Sequence, residues 1–116
     1  MVVAGGAGFL GSHLCERLLR LGHSVLCIDN LSTGAMTNLE ELMEEPRFRL
    51  TLHDIAEPLD IDEPIGIFNL ACPASPVHYQ ADPIRTTMTS VQGTYNLLEV
   101  ARRSGAPMLQ IGRAHV

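Results

Sequence analysis

The stretch Val2-Val3-Ala4-Gly5-Gly6-Ala7-Gly8-Phe9-Leu10-Gly11 decides the fold. Its β-branched start suits a strand. Glycines follow as Gly5-x-x-Gly8-x-x-Gly11, and an apolar pattern of helical period begins at once. A strand that turns tightly into a helix leaves several N–H groups pointing outward at the helix N-terminus. With the helix dipole behind them, they favour a pyrophosphate. Gly5 permits the tight turn, Gly8 removes a Cβ that would hold a phosphate away, and Gly11 lets the helix pack closely on the strand. The spacing is one residue longer than the familiar G-x-G-x-x-G.

A glycine triplet by itself also fits a turn with no ligand, so the residues around it matter. Val25-Leu26-Cys27-Ile28 reads as a second strand. Asp29 ends that strand, about 20 residues beyond the glycines, where the dinucleotide fingerprint places an acidic residue. A carboxylate there accepts hydrogen bonds from an adenosine ribose and repels a 2′-phosphate. Asn30-Leu31-Ser32-Thr33-Gly34 brings no arginine to welcome that phosphate. The pattern therefore predicts NAD rather than NADP.

Further along, the spacing predicts a first helix over residues 9–21, with Leu10, Leu14, Leu18 and Leu21 as its apolar stripe and Gly22 as its stop. Thr37-Asn38-Leu39-Glu40 is a capping box for a short helix that Pro46 closes. Residues 48–52 form a third strand, an acidic Pro-punctuated link covers 57–64, and residues 65–71 form a fourth strand. Asp82-Pro83 opens a long helix. Ile84, Met88, Val91, Tyr95 and Leu98 make its core-packing stripe, Gly105 ends it, and residues 107–111 begin a fifth strand. Strands alternating with helices at this rhythm predict an α/β fold, a Rossmann-type doubly wound parallel sheet.

Composition bounds the rest. The chain has 116 residues, 46% hydrophobic, enough for one domain with a core. A formal charge of −5 disfavours nucleic acid and anionic membranes. No run approaches the ~20 apolar residues of a membrane span, and no basic-then-apolar leader precedes the first strand. Cys15, Cys27 and Cys72 make no C-x-x-C pair and read as reduced structural thiols in a cytoplasmic protein. The five histidines show no metal-ligand spacing, so no metal is expected.

The motif set Gly5 to Gly11, Asp29-Asn30, His53-Asp54-Ile55 and Asn69-Leu70-Ala71 resembles the extended short-chain dehydrogenase/reductases, the NAD-dependent epimerase/dehydratase family that acts on nucleotide sugars. Ala71-Cys72-Pro73-Ala74-Ser75-Pro76-Val77-His78-Tyr79-Gln80, Asp82-Pro83-Ile84 and Thr89-Ser90-Val91-Gln92-Gly93-Thr94 resemble the UDP-glucuronate decarboxylases within it. The resemblance covers residues 1–110 and matches the N-terminal third of a full member, the first five strands of a truncated fold. It implies that UDP-glucuronate is oxidised at C4 with NAD⁺ as acceptor, loses CO₂ from the 4-keto sugar, and is reduced again at C4 to UDP-xylose. dTDP-glucose 4,6-dehydratase, UDP-sugar 4-epimerase and a non-catalytic NAD-binding module are the alternatives.

The resemblance also implies site roles. Gly5, Gly8, Phe9, Leu10 and Gly11 grip the pyrophosphate. Asp29 and Asn30 hold the ribose, with Ser32, Thr33 and Gly34 closing over it. Asp54 and Ile55 flank the adenine, while Leu70, Cys72 and Thr89 lie along the nicotinamide half. Leu59, Asp60, Asn96, Glu99, Arg102 and Arg103 contact the UDP-sugar, the two arginines suiting a diphosphate. Full-length members are implied to be homodimers. Two departures stand out. Met88 occupies a position where lysine is usual. The Tyr-x-x-x-Lys catalytic pair is absent, since Tyr79 and Tyr95 are the only tyrosines and every Lys/Arg position is arginine. No catalytic residue is therefore expected within the chain, which should be inactive alone. Residues 111–116, Ile-Gly-Arg-Ala-His-Val, match one reading frame of a common sequencing adapter and read as a non-native tail.

Overall fold

The computed structural model describes residues 1–30, 36–61, 64–71 and 83–110, the side chains of 83–90 excepted. The elements are β1 (Val2–Ala4), α1 (Phe9–Arg20), β2 (Val25–Asp29), β3 (Phe48–Leu52), β4 (Ile67–Asn69), α2 (Pro83–Ser104) and β5 (Met108–Gln110). The described strands form one sheet in the order β3-β2-β1-β4-β5, every pairing parallel. This is the expected doubly wound topology. Strand order reverses at β1, and in such sheets ligands bind at that switch point, beyond the carboxyl ends of the strands.

Alternation along the strands divides the core into two layers. Val3 and Cys27 face α1, where Cys15, Leu18 and Leu19 cover them. Val2, Ala4, Ile28 and Ile67 face the other way, against Leu97, Val100 and Ala101 of α2. Strands covered on both faces are apolar along their length, as β1 and β2 are. Both helices stop at the expected glycines, Gly22 and Gly105, which take positive φ.

The helix faces correct the expected stripes. On α1 the buried residues are Gly11, Ser12, Cys15, Leu18 and Leu19, while Leu10 and Leu21 are exposed. On α2 the buried residues are Gly93, Leu97, Val100 and Ala101. Val91, Tyr95 and Leu98 point outward at 65%, 58% and 51% exposure. The inner faces mix small residues with large ones, Gly11, Ser12 and Cys15 beside Leu18 and Leu19 on α1, and Gly93 and Ala101 beside Leu97 and Val100 on α2; the small residues allow close approach and the larger ones fill the core. The short helix expected after Asp29 is instead two 3₁₀ turns, Met36–Asn38 and Leu42–Glu44, with Leu39 fully buried between them. The fourth and fifth strands are shorter than expected. The 111–116 tail lies outside the described residues.

Candidate functional site

The carboxyl edge of β1 runs straight into the glycine loop. Gly5 sits at φ +83°, and a Cβ there would lie 2.6 Å from the Leu70 carbonyl carbon and oxygen. At Gly11 a Cβ would strike the Gly5 carbonyl oxygen and come 2.7 Å from Gly6 Cα. The fold itself requires glycine at both positions. Gly8 differs. Its φ of −73° suits any residue, and the nearest atom to a Cβ there is 3.6 Å away. Among the described residues nothing demands glycine at Gly8, which stands at the N-terminus of α1. The first turn of α1 presents the N–H groups of Phe9, Leu10 and Gly11, which a helix of itself leaves without partners. No acidic side chain stands in that turn. An open, positively polarised cradle of this kind suits an anion.

Side chains from other elements fix the loop. The Ala7 N–H donates to Asp29 Oδ2 at 3.0 Å, and Asn38 Nδ2 donates to the Ala7 carbonyl at 2.8 Å. Ala7 is thus held on both sides, from β2 and from the 3₁₀ turn. Asp29 is only 9% exposed, which places a buried carboxylate at the end of β2 beside the glycines. Asn30 follows it, exposed. Beneath the loop, a Cβ at Gly6 would meet the sulfurs of Cys27 and Cys15. Both cysteines are buried and free. A hydrogen bond from Cys15 and burial together push the Cys27 thiol well above the ordinary thiol range. It is an inert packing group, as the sequence suggests.

Leu70 lies against Gly5, its N–H bonded to the Ala4 carbonyl at 2.8 Å. Asp54 caps its own turn by accepting the Ala56 N–H at 2.9 Å, and Ile55 is buried at 7%. The His53 N–H donates to the Asp29 carbonyl, which ties this loop to the end of β2. Gly5, Gly8, Asp29, Asn30, Asp54 and Leu70 belong to loops and strand ends of the carboxyl edge, and Gly11 to the first turn of α1 that follows the glycine loop. Ser32, Thr33, Gly34 and Cys72 lie outside the described residues, and Thr89 is described only by its place on α2.

The residues expected to contact the UDP-sugar are elsewhere. α2 ends at Ser104 and the chain enters β5 at Met108, so the last turns of α2 stand at the amino edge of the sheet. At 1.5 Å per residue, Arg103 is about 21 Å along the helix from Thr89. Arg102 pairs with Glu99 at 2.9 Å on the surface, which holds the Glu99 carboxyl below its usual value. Arg103 reaches the Leu59 carbonyl at 3.4 Å, and Asp60 is exposed beside it. Asn96 turns its amide onto the carbonyls of Ile55 and Glu57 at 2.7 and 2.9 Å. Leu59, Glu99, Arg102 and Arg103 thus meet at the end of α2, whereas Asn96 bonds the loop that follows β3.

Sequence reasoning passed over three residues. Asn38 was absorbed into the expected capping box, although the buried Leu39 after it signals an anchored turn. Gly6 stands within the glycine motif, yet no role was assigned to it. Asn69, fully buried at the end of β4, donates to Thr94 Oγ1 at 3.3 Å and to Gln110 Oε1 at 2.7 Å, and accepts the Ala71 N–H at 3.1 Å. A polar residue at the end of an apolar strand was the available signal. Among the described residues no group of His, Cys, Asp and Glu could hold a metal ion.

Comparison with known proteins bears on this geometry. The family described as "NAD dependent epimerase/dehydratase family" matches residues 1–116. The chain belongs to that family. NAD is the family's cofactor, and the open Gly8 cradle beside a buried Asp29 fits a dinucleotide. The chain is 48% identical over 118 residues to UDP-glucuronic acid decarboxylase 1 of Arabidopsis thaliana, covering 100% of this chain and 26% of that protein. UDP-glucuronic acid decarboxylase 1 of Danio rerio is 43% identical, again over 100% of this chain and 28% of its own length. The chain thus spans little more than a quarter of these family relatives. Among solved structures, dTDP-glucose 4,6-dehydratase from Streptomyces venezuelae with NAD bound matches with TM-score 0.80 and 30% identity, over 90% of this chain and 36% of that one. A UDP-galactose 4-epimerase matches with TM-score 0.79 and 31% identity, over 94% and 36%.

Proposed function

We propose that this chain is the NAD-binding part of a nucleotide-sugar enzyme that decarboxylates UDP-glucuronate to UDP-xylose. One observation carries the nucleotide half of the reading: Gly8 is a glycine that packing among the described residues does not require, set at a helix N-terminus. Gly8 and the first turn of α1, with Phe9, Leu10 and Gly11, take the pyrophosphate. Asp29 accepts hydrogen bonds from the adenosine ribose and, as a buried carboxylate, repels a 2′-phosphate. Asn30, Ser32, Thr33 and Gly34 close that end, Asp54 and Ile55 flank the adenine, and Leu70, Cys72 and Thr89 follow the nicotinamide. Bound NAD supplies hydride acceptance and return at C4; the protein supplies binding and orientation.

The relatives' names support the choice of UDP-glucuronate. General acid–base work at C4 needs a group with a tuned pKa within reach of the hydroxyl. Because the 116 residues hold no lysine, the Tyr-x-x-x-Lys pair belongs to sequence outside them, and the chain alone is inactive. The UDP-sugar reading for Leu59, Asp60, Glu99, Arg102 and Arg103 leaves them outside the reacting centre, which lies at the other edge. A homodimer belongs to the same proposal, and the exposed Val91, Tyr95 and Leu98 on α2 offer an apolar surface for it. A cytoplasmic setting belongs to it as well; no helix among the described residues is long and apolar enough to cross a membrane.

Calorimetric titration of NAD and NADP tests the cofactor assignment. NAD binds more tightly to the original protein, and Asp29→Ala removes the preference by about tenfold or more, since a charge-assisted bond is lost. Equal affinities in the original protein defeat the assignment. Incubating the complete protein with UDP-glucuronate and NAD⁺ tests the reaction. UDP-xylose supports it, whereas a dehydrated or epimerised sugar transfers the reading to those enzymes, and no product leaves a binding module.

A further inference from the structure

We propose that Asn96 is a positioning residue for the adenine end of the cofactor pocket, not a contact to the sugar substrate. The inference rests on the nucleotide reading above and adds to it a second layer of support. Asn96 lies on α2, on the far side of the pocket loop from the glycines. Its amide has two N–H donors, and both are engaged, with the Ile55 carbonyl at 2.7 Å and the Glu57 carbonyl at 2.9 Å. Its Oδ1 accepts from Gln92 Nε2 at 3.0 Å, which fixes the orientation of the amide. No donor remains to reach a ligand.

One turn earlier Gly93 lets α2 come down onto the same loop. A Cβ there would lie 2.5 Å from Ile55 Cδ1 and 2.6 Å from Cγ1. The helix therefore grips residues 55–57 both by contact and by two hydrogen bonds. The other end of the loop is tied to the sheet, through the His53 N–H on the Asp29 carbonyl at 3.1 Å. Between these anchors sits Asp54, whose carbonyl accepts the Glu57 N–H at 2.9 Å and whose Oδ1 accepts the Ala56 N–H at 2.9 Å. The residues that flank the adenine thus hang between Asp29 and α2. Among the described residues Asn96 is the one side chain that donates to two carbonyls of this loop. The spacing Gly93-x-x-Asn96 gives one helix turn a small residue for approach and an amide for the grip.

The test separates nucleotide halves. In the complete protein, dissociation constants are measured for ADP, which carries the adenine end, and for UDP, which carries the substrate's nucleotide. Asn96→Asp keeps the size, removes both donors and sets an anionic oxygen against two carbonyls. It weakens ADP by about tenfold through misplacement of the loop, and leaves UDP within twofold. Asn96→Gln keeps the donors and recovers part of the ADP affinity. Gly93→Ala, which presses a methyl on Ile55 and touches no hydrogen bond, weakens ADP several-fold, and decides the matter if Asn96→Asp fails to fold. Weakened UDP with unchanged ADP overturns the proposal in favour of a substrate contact. A lowered Tm with both affinities unchanged overturns it in favour of a purely structural role. An original protein that binds neither NAD nor ADP fells the nucleotide reading itself, which the variants of Asn96 on a binding protein do not.

Discussion

The two edges of the sheet treat their polar groups in opposite ways. At the carboxyl edge, Asp29 and Asn38 grip the backbone of Ala7 and so fix a cradle built from backbone N–H groups. At the amino edge, Glu99 and Arg102 satisfy each other, and Arg103 satisfies the Leu59 carbonyl. Charge alone would rank the arginines as the better phosphate site. Geometry favours the glycine loop on another ground, because a helix C-terminus repels anions, whereas the first turn of α1 presents backbone N–H groups that a helix of itself leaves without partners.

The comparison breaks hardest at Gly11. Gly11→Val drives a side chain into the Gly5 carbonyl and Gly6 Cα, backbone atoms that cannot yield, and should lose about 3 kcal/mol of stability with all NAD binding. Denaturant melts and calorimetry check this; a stable, NAD-binding variant would show the loop to be looser than described. Asn38→Ala removes one grip on Ala7, about 1 kcal/mol, and should weaken NAD several-fold while lowering Tm by only about 3–5 °C. Unchanged affinity would leave Asp29 as the sole determinant of loop geometry.

Arg102→Ala, at the other edge, should alter neither NAD nor UDP affinity. Its readout is Glu99. Arg102 holds that carboxyl below its usual value, so the pair stabilises the fold above the ordinary carboxylate pKa, and this contribution fades as pH falls through the depressed value. Removing Arg102 returns the Glu99 titration upward, visible by carbon NMR of the carboxyl, and a drop in UDP affinity would restore the arginine to the substrate. Smallest of all, Arg113→Ala and His115→Ala should change no affinity. Adapter-free resequencing of the source DNA should fail to find the codons of residues 111–116; their persistence ahead of a genuine stop ends that reading.

The succession of strands and helices and the glycine loop were legible because each depends on local chemistry. Gly22 and Gly105 stop helices, and Asp29 ends an apolar run, whatever the rest of the chain does. The helix faces were less legible. Leu10, Leu21, Val91, Tyr95 and Leu98 keep helical spacing, yet the inner faces combine Leu18, Leu19, Leu97 and Val100 with small residues such as Gly11, Cys15, Gly93 and Ala101. Large apolar size by itself did not mark the inner face, since glycine, alanine and cysteine hold much of it. Asn38 and Asn96 escaped for a different reason. Each acts on backbone carbonyls distant in sequence, Ala7 and Ile55, and no spacing rule encodes such a partner.

β1 is the central strand of the sheet, and its two neighbours are made at very different times. β2 follows β1 closely and pairs Val2 with Leu26, but the other side of Val2 waits for Ile67. During synthesis, at roughly 5–20 residues per second, a half-built sheet of β1, β2 and β3 carries an unpaired apolar border for a period of seconds. That border is the feature edge strands are normally shaped to avoid. The nascent chain is therefore most prone to aggregate before β4 arrives, and a chaperone that shields Val2–Ala4 would act at that stage of its making.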